Sequence, residues 1–515
     1  MATYYIDPSG NDTTGNGSIG TPWKTLYKAC SSVTTSGNTI HVNAGTYTEN
    51  TTCQLSLGVS IEGAGDTSII TSSSLTSEWT PIINIQSSSQ SNGNQSISYL
   101  KFDGASETIA QALWIEKRNN VKIHHCTFIN FKYLACYWIC DGGDIGADPY
   151  SSITYPTNFC TGSEIYNNTV TNCSAFDDFG RGAFTLFGHD GIKIYNNTIT
   201  QSSRSANANG YCLKMVFIRG GEIYNNDITL ANFTWCFAFE CFVFEGVNIH
   251  DNDIIGGIDV NISRKTSSGK TYDYGMWIHN NNLGPTSASS EEYYGILLEF
   301  YHSDVIVEKN IINNCFYGFS FVPRTNNVVS NIRLSYNIFK NMASGGYTLQ
   351  GGMGSTTNTY SNIEMYNNIF HGSSMWGMSL FGTWNGLYFR NNVFMGTSYE
   401  WFELRETQSN NINITNNIIF DNSDNTPYFA VTPTNYTNAN NINQNPLFTN
   451  ASTGDFTLQS GSPARDAGYN VGLTTDIINY VVPYNTTPDI GVYEYGSYAA
   501  SGNTYYVIFK VGGIV

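Results

Sequence analysis

The sequence predicts an all-β chain wound as a parallel β-helix. Three observations predict it: a recurring phrase, the period of that phrase, and alternating apolar residues within each copy. The phrase is apolar–aromatic–Asn–Asn–x–apolar, as in Ile165-Tyr166-Asn167-Asn168, Ile194-Tyr195-Asn196-Asn197 and Ile223-Tyr224-Asn225-Asn226. Looser copies end at Asn252, Asn281, Asn310, Asn337, Asn368, Asn392 and Asn417, spaced 24 to 31 residues apart. A period of roughly 20–50 residues marks a stack of repeats. The unit is too short for paired helices, and its apolar residues alternate as in strands.

Each unit carries two legible strands. One is the Asn-Asn stretch. The other is opened by glycine, as in Gly295-Ile296-Leu297-Leu298-Glu299, Gly318-Phe319-Ser320-Phe321-Val322 and Gly377-Met378-Ser379-Leu380-Phe381. One coil per unit would stack strands about 4.8 Å apart. Asn suits the corner because it tolerates the left-handed backbone. Stacked amides can also bond to their copies above and below.

Aligning the glycine-opened strands gives an apolar column: Ile115, Leu186, Leu213, Phe239, Val260, Leu298, Phe321, Leu349, Leu380 and Leu404. Two residues earlier stand Leu113, Phe184, Tyr211, Phe237, Ile258, Ile296, Phe319, Tyr347, Met378 and Phe402. Period-two alternation turns both columns inward and their neighbours outward.

The repeat overrides the expectation of several domains that 515 residues would otherwise raise. Residues 1–50 read as an N-terminal cap and first coil, and 51–439 as the helix. Residues 440–498 read as closing coils and 499–515 as an apolar tail, either a final strand or a contact with a partner chain. Insertions at 132–160 and 263–275 interrupt the period, and such loops commonly carry a solenoid's specificity.

The net charge is −17, with charged residues at 12%. That balance argues against nucleic acid and against an anionic membrane surface. No apolar run is long enough for a transmembrane helix. No secretory signal follows Met1, so either a signal has been removed or the protein leaves its cell without one, as part of a virus particle. Eleven cysteines follow no framework spacing and are read as small hydrophobes. Cys136, Cys140 and Cys160 are close enough in sequence for a bridge.

The phrases at the two ends carry a family resemblance. Tyr4-Tyr5-Ile6-Asp7-Pro8-Ser9-Gly10, Thr21-Pro22-Trp23 and Asn43-Ala44-Gly45-Thr46-Tyr47 resemble the opening of right-handed, single-stranded parallel β-helices of the pectate-lyase-like superfamily. Asn445-Pro446-Leu447-Phe448, Gly461-Ser462-Pro463-Ala464 and Asp489-Ile490-Gly491-Val492-Tyr493 resemble their closing region. The resemblance implies a right-handed solenoid with a cap at each end, and a polysaccharide as partner. It leaves the chemistry open among lyases, hydrolases, epimerases and phage tailspikes.

On that alignment the outward row reads Glu116, Phe187, Lys214, Glu240, Asn261, Glu299, Val322, Gln350, Phe381 and Arg405. Lys214, Glu240, Asn261 and Glu299 would stand on four consecutive coils. His189, Ser263, Tyr301 and Arg324 lie two residues further on, and Arg264 and Lys265 open the basic insertion. The bland reading is a solvated face with weak ion pairs.

Three chemistries compete with it. In a hydrolase, Glu240 and Glu299 act as acid and base, about 9.6 Å apart. In a lyase, Lys214, Tyr301 or His302 takes the proton beside a uronate carboxylate that Arg264 or Arg324 neutralises. In a calcium-assisted lyase, Glu240, Asn261 and Glu299 are the oxygen ligands. This third version is similar to the alginate- and chondroitin-lyase branch in residue types but not in local motif. No cofactor is required otherwise.

Phe176-Asp177-Asp178 and Gly188-His189-Asp190-Gly191 resemble polygalacturonase motifs, although Asp190 replaces the second glycine and the Asn-Thr-Asp is missing. Asp190 is better read as a turn residue. Trp114, Trp138, Phe187, Phe381, Trp384 and Tyr301 are expected at outward or turn positions, where aromatic faces suit sugar rings. Phe187, His189, Asn261, His302, Phe381 and Trp384 are the candidate substrate contacts.

The reading is a polysaccharide-binding and polysaccharide-degrading protein, extracellular or on a virion surface. The alternative is a non-catalytic virion or cell-surface component, homo-oligomeric or part of a particle.

Overall fold

The computed structural model describes the chain outside residues 145–152, 174–180, 202–210, 231–236, 268–269, 288–292, 323–327, 353–356, 374, 406–407 and 497–515. The chain is a parallel β-helix, consistent with the right-handed winding expected. One coil consists of a first strand Gly182–Asp190, a second Lys193–Tyr195 and a third Thr198–Gln201. The next coil repeats them as Tyr211–Arg219, Glu222–Tyr224 and Asp227–Leu230. Each strand pairs in parallel with its copy: Phe184 with Leu213, Ile194 with Ile223 and Ile199 with Ile228. The Asn-Asn stretch is therefore two short strands bent at the Asn pair, which explains why the third strand is hard to see in the sequence.

The two asparagines do different work. The first turns the corner in the left-handed region, with φ of 55° at Asn167, 55° at Asn196 and 53° at Asn225. The second is buried and forms a ladder. Asn252 Nδ2 donates to Asn281 Oδ1 at 2.9 Å and to the Ile223 carbonyl at 2.9 Å. Its own Oδ1 accepts from the Asn226 amide N–H at 3.0 Å and from Asn226 Nδ2 at 2.9 Å. The pattern repeats from Asn168 through Asn197, Asn226, Asn281, Asn310, Asn337, Asn368, Asn392 and Asn417 to Asn441. Each rung satisfies groups that would be costly if buried unpaired.

Inward columns fill the core as the alternation requires. One runs Leu113, Cys136, Phe184, Leu213, Phe239, Ile258 and Ile296, all buried. Outside the core, Tyr166, Tyr195, Tyr224, His250 and His279 stack face to face at 4.8 to 5.1 Å. The ten described cysteines are buried, and Cys136, Cys140 and Cys160 form no disulfide.

The interruptions differ from their sequence outlines. Within 132–160, Leu134–Ile139 is a regular first strand, paired with Gln111–Glu116 below and Phe184–Phe187 above. After it, Ile153, Tyr155 and Phe159 pack outside the core, and Cys160 rejoins the paired strands. The 263–275 loop contains a short antiparallel pair, Thr266–Ser267 with Lys270–Thr271.

The N-terminus is covered by a helix, Leu26–Ser32, whose Leu26, Ala29 and Cys30 are buried. Thr25 caps it, and the buried Glu49 carboxylate accepts its Leu26 and Tyr27 amides. At the other end the chain runs back along the third sheet. Phe448, Phe456, Ile490 and Val492 pack on Ile338, Ile369, Val393 and Ile418. Corner asparagines of those coils hold it: Asn367 donates to the Asp489 and Gly491 carbonyls, and Asn391 to the Tyr469 carbonyl. No described helix is long and apolar enough to cross a membrane.

Two outcomes follow from this packing. Asn252→Ala strips two donors of their acceptor and should cost about 1–3 kcal/mol, read as a lower urea midpoint and faster exchange of the Asn226 amide. In the returning segment, burial pushes the Glu494 carboxyl up to about 7, with Asp489 and Asp476 adding to the rise. A raised acid contributes stability below its unfolded value near 4.5 and loses it as pH climbs through about 7. Hydrogen exchange along Tyr484–Tyr495 should be slower at pH 5 than at pH 8, and Glu494→Gln should reduce the difference.

Candidate active site

The register places Lys214 opposite Thr185 on one side and Glu240 on the other, and Glu240 opposite Asp259. The outward row of the first sheet therefore reads Trp114, Tyr137, Thr185, Lys214, Glu240, Asp259, Leu297, Ser320, Gln350, Ser379, Glu403 and Tyr428. Asn261 is not in it. The sequence alignment slips by two residues at this coil, and Asp259 takes the place given to Asn261. Glu299 is likewise displaced: Leu297 stands opposite Asp259, and the register breaks between Val260 and Ile262. Phe187, Val322, Phe381 and Arg405 leave the row for the same reason.

The row is not a solvated face. Lys214, Glu240 and Asp259 retain 6%, 7% and 4% of their exposure. Two apolar clusters flank them outside the core. One gathers Phe159, Val216, Phe217, Val243, Ile262 and Phe300 with Tyr155 and Phe242. The other gathers Tyr211, Phe237, Tyr294, Leu297 and Tyr317. Lys214 lies between them, its ammonium 4.2 Å from the Phe242 ring centre and 5.2 Å from that of Tyr211.

Asp259 and Tyr211 lie within hydrogen-bonding reach of the Glu240 carboxyl. Burial raises its proton affinity, and the Lys214 charge opposes the rise. Asp259 is raised further, first by burial and then by the charges of Glu240 and Glu299. Two like charges in one apolar site do not readily both ionise, so the two carboxyls favour sharing one proton. Among the described residues, Asp259 Oδ1 has no hydrogen-bond partner. A buried carboxyl with raised affinity, a charged neighbour and an unused oxygen has the character of an acid–base group.

The remaining candidates fall elsewhere. His189 is fully buried, bonded to Ser163 Oγ at 3.0 Å, and burial lowers its imidazole to about 4. His302 is fully buried against Ser263 and lowered to about 3, so it is a neutral packing group. Arg264 is drawn to the buried Glu245 at 3.3 Å and over the Tyr155 ring, away from the row. Lys270 and Arg219 both pair with Asp190, which therefore anchors the basic loop. Tyr301 is half exposed. Trp138 and Trp384 belong to the core, not the surface. Phe187 is half-buried beside the first apolar cluster. Arg324, Asp177 and Asp178 lie outside the described residues.

In the calcium version an ion at Glu240 would have to share it with Lys214 and Asp259. Lys214 already sets a positive charge against Glu240, Asp259 bonds to the same carboxylate, and no group of three or more His, Cys, Asp or Glu among the described residues is placed to hold a metal ion.

Sequence reasoning missed a second feature of the same sheet. Trp376, Tyr399, Glu400, Glu403, Arg405, Tyr428 and Ala430 line an open groove of about 450 Å³. Glu403 and Tyr428 belong to the outward row, Glu403 about 24 Å from Asp259 at five rungs of strand spacing and Tyr428 one rung further.

No protein-family model and no curated protein sequence matches the chain. Solved structures of similar winding do exist. A tailspike protein of E. coli bacteriophage HK620, in complex with a pentasaccharide, aligns over 84% of this chain and 78% of its own at 12% identity and TM-score 0.49. The A-module of the mannuronan C-5 epimerase AlgE4 from Azotobacter vinelandii aligns over 77% and 91% at 15% identity and TM-score 0.39. The catalytic unit of a GH87 α-1,3-glucanase from Streptomyces thermodiastaticus aligns over 85% and 67% at 12% identity and TM-score 0.40. At these identities the likeness is one of fold.

The shared proton has a direct readout. Difference infrared spectra should show a neutral carboxyl band at pH 7 that Asp259→Asn removes. Lys214→Met should leave Glu240 buried without its cation and destabilise the coil by about 3–5 kcal/mol, measured by chemical denaturation.

Proposed function

We propose that the protein hydrolyses a neutral polysaccharide, with the Glu240–Asp259 pair as proton donor and Glu299 as base. The observation behind this reading is the buried pair beside Lys214, in a chain that otherwise has few charges. Asp259 gives its proton to the glycosidic oxygen as the bond from the anomeric carbon breaks. Glu299 takes a proton from the water that attacks that carbon. Glu240, held by Lys214 and Tyr211, keeps Asp259 protonated before each turnover. Proton transfer by placed carboxyls is worth about 10²–10⁴-fold in rate.

Charge favours a neutral substrate. Three carboxyls meet one lysine here, and Arg264 is committed to Glu245. A uronate would meet net repulsion, which weakens the lyase version. The setting implied is extracellular or a virion surface, where such glycans lie. A fibre that only binds glycan shares the fold and would lack turnover.

Neutral polysaccharides incubated with the protein should release reducing ends without an unsaturated product. Asp259→Asn and Glu299→Gln should each lower kcat by about 10²–10⁴-fold. Wild-type rates in both variants would exclude this site, and unsaturated ends would assign lyase chemistry.

A further inference from the structure

The groove at residues 376–430 has the parts of a carbohydrate site of its own. Aromatic rings stack up this side of the helix: Tyr294 on Tyr317, Tyr317 on Tyr347, Tyr347 on Trp376, and Trp376 on Tyr399 at 5.0 Å. In such a column each inner ring has both faces covered. Tyr399 is the last ring, with Trp376 as its stacking partner, and it is half exposed. One face of Tyr399 is thus open to the groove, and Tyr428, also half exposed, stands in the same lining. Two amphipathic rings in a concave site suit the apolar face of a pyranose.

The polar groups of the groove are held in place. Glu403 is almost fully buried, accepts from Ser379 Oγ, and pairs with Arg405 at 2.8 Å. Arg405 lies over the Trp376 ring at 5.3 Å and the Phe381 ring at 5.6 Å. Trp376 Nε1 donates to Glu400 at 2.8 Å. Fixed carboxylates and a guanidinium beside an aromatic face match ring hydroxyls. Two carboxylates against one guanidinium leave a negative balance, which opposes a uronate and admits a neutral sugar.

We infer that this groove is a second glycan site that grips a neutral pyranose unit of the chain, apart from the acid–base pair. It rests on the glycan reading above but not on its chemistry. The five rungs separating the two places correspond to about 24 Å, so one extended polysaccharide lying along the sheet reaches both. The intervening row is polar at Ser320 and Gln350, whose Oγ and Oε1 have no hydrogen-bond partner among the described residues.

The test uses the full-length Asp259→Asn variant, so that binding is read without turnover. Hexasaccharides of cellulose, laminarin, amylose and galactan, and of polygalacturonate as the charged control, are titrated calorimetrically. At least one neutral hexamer should bind with a Kd below about 1 mM. Adding Tyr399→Ala or Glu403→Gln should weaken that binding tenfold or more, and the polygalacturonate hexamer should bind at least tenfold more weakly. Absence of neutral binding overturns the proposal, as does binding that Tyr399→Ala leaves within twofold. Binding lost with Tyr399→Ala, together with a wild-type protein that releases no reducing ends from the bound glycan, would sink the hydrolase reading and leave this site standing.

Discussion

The asparagine ladder is the constraint on which the rest of the structure depends. Each buried amide accepts from the coil on one side and donates to the coil on the other, so the height and angular position of every corner are tied to the next. Once corners are stacked, strands that leave them are stacked too, and a side chain on one coil has a defined neighbour on the next. The left-handed residue before each rung completes the corner, usually Asn, with Asp251, Lys309 and Tyr336 in its place elsewhere. The ladder explains how coils of 24 to 31 residues tolerate loops of different length: the surplus is expelled between corners, and the corners do not move.

Expelled chain then changes the surface. The excursion after Ile139 returns as Tyr155 and Phe159, which pack on Phe187, Val216 and Phe242 outside the sheet. A second apolar patch forms around Tyr211, Phe237 and Tyr294. Between them an outward row becomes a dry one. Lys214, Glu240 and Asp259 would be ordinary surface charges on a bare sheet. Here they are close together in a poor solvent, and their proton affinities shift. The chemistry proposed comes from that covering as much as from the residues.

The same sheet changes character along its length. Near Lys214 it is charged and enclosed, through Leu297 to Ser379 it is small or uncharged, and at Glu403 it opens into an aromatic groove. A linear polymer is the ligand such a gradient suits, because one molecule can meet all three zones at once. The acidic balance at both ends suits the uncharged glycan proposed.

Much of this was legible in the sequence. The period, the corner asparagines, most of the inward columns and the pairing of Lys214 with Glu240 follow from local pattern, whereas Tyr211, Phe237 and Tyr347, expected inward, pack outside the core. The identity of the next member of the row does not. A strand's side chains alternate with period two, so a slip of one residue would turn an apolar column outward and be noticed, whereas a slip of two preserves the pattern and passes. That is why Asn261 stood where Asp259 belongs, and why Leu186 was matched to Leu213 when its partner is Met215. Trp138 was misplaced outward because its coil was left out of the alignment, and Trp384 because it stands on the strand after the aligned one. The sequence by itself determined that the chain coils, where it turns and which faces are apolar, since those depend on neighbours a few residues apart. Only the tertiary structure decided which carboxyls meet, that they are buried, and that Tyr399 ends a stack with a face to spare, because each depends on register and on loops folding back from elsewhere.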